Sequence, residues 1–138
     1  CWLSDASGQR INVVESGTSF CWCYRVRFNE DVTRPIFAMM LKTREGVALY
    51  GVDSRQLEVE TKSFQTGDTE EVNFTLVNPL APGVYYLNCG VRLDNSDGVE
   101  FLSRRIDSAI LRVSSGLTST AVLGMVELRA KLSLSGTA

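Results

Sequence analysis

The chain has no histidine, and this absence removes more chemistry than any other feature of its 138 residues. Without imidazole there is no Ser-His-Asp or Cys-His nucleophile and no side chain that ordinarily titrates near neutral pH. Lysine is scarce as well, at three residues against eleven arginines. No GxxxxGK[ST] occurs, so the chain is not itself a P-loop ATPase. No apolar run reaches the ~20 residues of a membrane-spanning helix, and no basic region followed by an apolar one marks a signal peptide. The net charge of −2 lacks the basic surplus of a nucleic-acid binder. A length of 138 residues suits one domain, over 1–138, able to bury a single core.

Cysteine is present but badly spaced for a disulfide or a metal. The four are Cys1, Cys21, Cys23 and Cys89. In a strand, positions 21 and 23 share a face with Cα atoms ~6.5–7 Å apart, at the limit for a bridge. A structural zinc site usually combines Cys-x2-4-Cys pairs with histidine, which is missing here. The expectation is reduced thiols in a reducing compartment, no metal and no cofactor.

A catalytic set is also missing. Asp31, Asp53, Asp94, Asp97, Glu100 and Asp107 could pair as glycosidase carboxylates, but nearly all fall in predicted turns. The cluster Asp94 to Gly98, "DNSDG", is out of register with a calcium loop and has Arg105 where that loop needs glutamate, so it reads as a polar hairpin turn. The chain is therefore not expected to be an enzyme.

What is there is alternation. In "FCWCYRVRF", Phe20, Trp22, Tyr24, Val26 and Phe28 alternate with Cys21, Cys23, Arg25 and Arg27. Period two makes this a strand with an apolar core face and a second face free for other work. Further strands are expected at 10–15, 35–42, 47–53 after a turn closed by Gly46, 71–77 and 84–93. A strand, a short excursion and another strand lead to Val113. Val126, Leu128, Ala130, Leu132 and Leu134 then alternate with polar residues, predicting a last strand over about 124–134. About eight strands at regular spacing indicate an all-β fold: an antiparallel β-sandwich, immunoglobulin-like or jelly-roll. Tyr85, just after Pro82-Gly83, resembles the tyrosine corner of immunoglobulin-like sandwiches, although the inter-sheet cysteine pair of antibody domains is not in place.

Four blocks carry a more specific resemblance: "FNEDVTRPIFAMMLKTREGVALYGVDS" (28–54), "GDTEEVNFTLVNPLAPGVYYLNCGV" (67–91), "RRIDSAILRVSSG" (104–116) and the closing Gly with "VEL" (124–128). Their order and spacing resemble the C-terminal domain of Wzt, the ATPase subunit of bacterial O-antigen ABC transporters, over roughly residues 5–130. Ala38 departs from the glycine that the family often has after Phe37. The resemblance implies a non-catalytic β-sandwich that binds the O-polysaccharide, usually through its non-reducing terminal modification. It implies a cytoplasmic setting at the inner membrane, attachment to a nucleotide-binding domain that this chain lacks, and a homodimer in which the C-terminal strand can be exchanged. No ligand-contacting motif is carried over.

Site residues must then come from the alternation. If 20–28 and 84–93 neighbour each other in one sheet, their outward sets place Arg25, Arg27, Tyr86, Asn88 and Arg92 on one face. One ring, one amide and three guanidinium groups would suit a sugar carrying a phosphate or carboxylate. The alternative reading is an immunoglobulin-like structural or protein-interaction module, with these residues merely solvating an open face.

Overall fold

The structure, a computed structural model, describes residues 1–95, 98–115, 124–126, 128 and 130–135, without the side chains of Asn95, Val99 and Asp107. Nine strands, and no helix, form among these residues: β1 (Trp2–Ser4), β2 (Arg10–Ile11), β3 (Val13–Glu15), β4 (Ser19–Arg27), β5 (Ile36–Thr43), β6 (Ala48–Asp53), β7 (Thr69–Val77), β8 (Gly83–Asn95) and β9 (Gly98–Ser114). They build a four-stranded sheet in the order β2-β1-β4-β7 and a five-stranded sheet in the order β3-β9-β8-β5-β6. All pairings are antiparallel except β3 with β9. The expected all-β sandwich is the architecture observed.

The core lies between the sheets, where the alternation of each strand puts it. From β4 come Phe20, Trp22 and Tyr24, with Phe28 just beyond; from β5, β8 and β9 come Phe37, Met39, Leu87, Val91 and Leu111, all buried. Phe28 and Phe64 stack with ring centroids 4.2 Å apart, and Phe37 meets Phe64 edge-on at 6.1 Å. Such offset and edge contacts add stabilisation beyond area burial. The Tyr85 hydroxyl donates to the Ala81 carbonyl at 2.8 Å, so the predicted tyrosine corner closes on the backbone four residues upstream. Gly46 takes φ 91° in the turn between β5 and β6, a conformation that a side chain would strain.

Three departures from the expected strands have local causes. The segment 10–15 is not one strand. Ile11 pairs with Leu3 in the smaller sheet, whereas Val14, 2% exposed, pairs with Val113 in the larger. Inward residues three apart cannot share one straight strand of period two, so the chain changes sheets at Asn12. The expected excursion before Val113 is a bulge within one long strand: Ala109 faces Leu87 and Arg105 faces Cys89, leaving 106–108 opposite Asn88 alone. Among the described residues of 124–134, Val126 forms an antiparallel bridge with Leu80. Alternation marks a strand-like face, but pairing also needs a neighbour to supply hydrogen bonds.

The two cysteines of β4 also differ from each other. Both point away from the core, as the alternation requires. Yet Cys23 is buried at 2% exposure, paired with Trp2 of β1 and 3.6 Å from the Ser4 hydroxyl. The three-residue β1, not anticipated from the sequence, covers it. The four cysteines are free thiols.

Candidate functional site

The topology separates the five residues expected on one face. Arg25 and Arg27 stand on β4 in the four-stranded sheet, while Tyr86, Asn88 and Arg92 stand on β8 in the five-stranded sheet. The outer faces of the two sheets point in opposite directions, so these residues form two groups. The premise that β4 and β8 are neighbours does not hold: β4 pairs with β1 and β7, and β8 with β5 and β9.

On the five-stranded sheet, the outward residues of β6, β5, β8 and β9 form cross-strand rows. One row reads Asp53–Ala38–Gly90–Arg104, and the next reads Gly51–Met40–Asn88. Arg92 faces Phe101 on the other side of the first row. Ala38, Gly90 and Gly51 leave the middle of the sheet almost bare, and a groove of ≈ 320 Å³ lies over them. A Cβ at position 90 would meet the Ser103 carbonyl oxygen at 3.3 Å, so the close approach of β9 favours glycine there.

Beneath the floor, the Tyr24 hydroxyl crosses the core from the opposite sheet. It lies 3.0 Å from the Ala38 carbonyl oxygen and 3.2 Å from that of Gly90. Burial pushes the Tyr24 phenol far above its usual range, so it remains a donor across the neutral range. The apolar face of β4 thus reaches the groove through one hydroxyl.

The walls are polar. Arg92 donates through Nη2 to Asp53 and through Nε to Asp94, the latter at 3.4 Å, and Arg55 pairs with the other side of Asp94. Asp53 and Gln56 exchange two hydrogen bonds: the Gln56 amide donates to Oδ1 at 2.7 Å, and the Gln56 side-chain oxygen accepts from the Asp53 amide at 3.1 Å. Burial would raise the Asp53 pKa, but the Gln56 N–H and the Arg92 guanidinium outweigh it and hold the carboxyl below its usual value. Burial would likewise lower the pKa of Arg92, and its two carboxylate partners more than reverse that. Asp53 and Asp94 therefore meet on either side of a guanidinium rather than across open space, unlike a glycosidase pair. Asp31 instead accepts from the Thr66 amide at 2.8 Å in a loop, and Asp97 and the Asp107 side chain lie outside the described residues.

At the far end of the floor row, the Arg104 guanidinium sits 5.3 Å from the centroid of the Phe101 ring, which is 52% exposed. Of the residues expected from sequence, Asn88 and Arg92 line the groove. Tyr86 stands one row beyond it, between Lys42 and Ile110. Ala38, Asp53, Phe101 and Arg104 complete it and were not singled out together. Asp53 was visible only as one carboxylate among several.

On the opposite face, Arg25 pairs with Glu71 at 3.2 Å, and both Arg25 (5.6 Å) and Arg10 (4.7 Å) pack over the Trp2 ring. Guanidinium groups already cover this ring, which reduces what it offers a sugar. Two larger clefts, ≈ 600 Å³ and ≈ 530 Å³, open at the sides of the sandwich between the sheets. The smaller of the two brings Arg25 and Arg27 of β4 together with Arg105 of β9, but it lacks the bare floor between polar walls that the groove has.

The whole-chain comparisons agree with this architecture. No curated protein gives a significant match. A solved structure titled "Crystal structure of the C-terminal domain of wzt" is similar at a TM-score of 0.83 and 25% identity, covering 96% of this chain and 80% of that chain. The family model for the Wzt C-terminal domain matches residues 1–128, through both sheets and the bridge at Val126, and the protein belongs to that family.

Proposed function

We propose that this domain is a non-catalytic carbohydrate-binding module of an O-antigen ABC transporter, and that it takes the non-reducing end of the polysaccharide in the groove of the five-stranded sheet. The observation that carries the reading is the row Asp53–Ala38–Gly90–Arg104, a floor of two minimal side chains between polar walls. Asp53, Asn88 and the Arg92 guanidinium are planar groups suited to paired sugar hydroxyls, and Phe101 and Met40 supply apolar surface for the C–H face of a ring. A volume of ≈ 320 Å³ is at the small end for a ligand site, which suits a chain terminus better than a long stretch of repeats.

Asn88 and Arg92 belong to the proposed site, with Tyr86 at its outer margin. Arg25 and Arg27 stand on β4 and line a separate cleft at the side of the sandwich, outside the groove. The family assignment supports a transporter setting in which a nucleotide-binding domain is the working partner and the domain acts on the cytoplasmic side of the inner membrane. The exposed Leu128 and Leu132 support a homodimer in which the C-terminal segment pairs with a second copy.

The test is calorimetric titration with O-polysaccharides that differ only at the non-reducing end. Binding should require the terminal group, weaken in Asn88→Ala and persist in Arg25→Ala and Arg27→Ala. Loss of binding in the arginine variants with an intact Asn88→Ala response would move the site to the other sheet. No binding to any glycan would favour a protein-interaction module.

A further inference from the structure

We infer that the groove selects a sugar bearing an oxyanionic substituent, a carboxylate or a phosphate, seated against Arg104. This rests on the glycan reading above and names the class of sugar.

Arg55, Asp94, Arg92 and Asp53 form a chain of alternating sign, two guanidinium groups and two carboxylates, with no surplus. The charge of Arg92 is therefore balanced by the protein's own acids, Asp53 and Asp94, while its remaining N–H groups can still donate to hydroxyls. Among the described residues, Arg104 pairs with no carboxylate; its neighbour is the Phe101 ring. It is the uncompensated cation of the groove, and its planar fork matches the two oxygens of a carboxylate or phosphate.

Geometry then orients the ligand. Asp53 and Arg104 end the same row, three strand spacings apart, or ~14 Å at ~4.8 Å per strand. Asp53 repels an anion and accepts hydroxyl protons, whereas Arg104 does the reverse. A terminal sugar lying over Ala38 and Gly90 would have its hydroxyls toward β6 and its charged group toward β9. Phe101 holds the guanidinium on one side by a cation–π contact and is half-exposed beside the floor, where the ring of the same sugar can rest.

The experiment is NMR titration of the ¹⁵N-labelled domain with glucose, glucuronate, glucose 6-phosphate and inorganic phosphate, following the Gly90 amide and the Arg104 Nε–H. Glucuronate or glucose 6-phosphate should shift both signals with at least roughly tenfold higher affinity than glucose, as expected of a charge-assisted contact. Which of the two is tighter identifies the substituent. Arg104→Gln should reduce the preferred anion to the level of glucose, and Arg104→Lys should restore part of the preference. Equal affinity for glucose and the anions, or no effect of Arg104→Gln, overturns the inference. So does inorganic phosphate binding as tightly as glucose 6-phosphate, which would make Arg104 a simple ion site. A neutral O-polysaccharide that occupies the groove regardless of Arg104 overturns this inference and leaves the glycan reading standing. Failure of every glycan to shift Gly90 removes both.

Discussion

Replacing Tyr24 by phenylalanine removes one oxygen atom from the core and tests whether the groove floor is held from beneath. The ring stays, with its neighbours Phe74 at 6.3 Å and Trp22 at 6.5 Å, so no cavity larger than a hydroxyl is made. The lost interaction is a single donor shared between the Ala38 and Gly90 carbonyls. A net hydrogen bond contributes about 1 kcal/mol, and the loss grows toward 2 kcal/mol if a buried carbonyl is left short of a partner. Taking about 1.5 kcal/mol and an unfolding entropy near 0.3 kcal/mol/K for 138 residues, the thermal midpoint should fall by about 5 °C. Truncation to alanine would instead cost about 3–5 kcal/mol through the cavity, and the contrast isolates the hydroxyl.

Differential scanning calorimetry measures the midpoint, and amide hydrogen exchange at Ala38 and Gly90 reports whether the floor loosens locally. The loss should be the same across the neutral range, because burial keeps the phenol protonated. A midpoint within 1 °C of the wild type, with unchanged exchange at both residues, would show that the sheet ladder alone satisfies these carbonyls and that Tyr24 is only a packing ring.

Further consequences can be checked on the same protein. Ala38→Leu should fill the groove over the floor row and weaken glycan binding by at least tenfold, while shifting the thermal midpoint by no more than a few degrees, since Ala38 points away from the core. The Asp53 carboxyl lies below its usual value in the folded state, so the unfolded chain binds the extra proton first; stability from this group is present above about pH 4 and lost as pH falls through the folded value. Asp53→Asn should flatten that part of the acid-denaturation curve, and an unchanged curve would place the acid sensitivity elsewhere. The exposed Arg25–Glu71 pair is worth at most about 1 kcal/mol, so Arg25→Ala should lower the midpoint by no more than a few degrees and leave the groove's affinity unchanged.

How much of this was legible in the sequence follows from what period two encodes. It states which face of a strand a residue occupies, and Phe20 to Phe28 were assigned to their faces correctly on that basis. It does not state which strands are neighbours. Residues 20–28 and 84–93 alternate in the same way, yet they belong to different sheets because their partners are distant in sequence: Cys23 meets Trp2 and Asn73, while Cys89 meets Met39 and Arg105. The groove's last strand was hidden for a second reason. Phe101 and Arg104 are three residues apart, which in a regular strand means opposite faces. The register shift opposite Val91 and Arg92 turns them to the same face, against Arg92 and Gly90. A shift of that kind leaves no period-two trace, so the half of the site on β9 is set by strand register and not by sequence pattern.

The C-terminal segment shows the same limit from the other side, and it yields a test of assembly. Its alternation is as regular as that of β4, but the described leucines are exposed: Leu128 at 81%, Leu132 at 84% and Leu134 at 61%. Burying each would contribute roughly 1.5–3 kcal/mol, whereas ordering a strand costs roughly 1–2 kcal/mol per residue before hydrogen bonds form. The apolar gain alone does not offset that ordering, so a strand here calls for the free edge of a sheet, which a second copy of the chain is expected to present. Leu128→Ser with Leu132→Ser removes the larger part of the apolar gain and spares the bridge between Val126 and Leu80 that anchors the segment's start. Multi-angle light scattering at tens of micromolar should then show the wild type as a dimer and the double variant as a monomer, with a lower thermal midpoint because association no longer stabilises the folded chain. A wild type that is monomeric at that concentration, or a double variant that remains dimeric, would mean that these leucines do not join two copies.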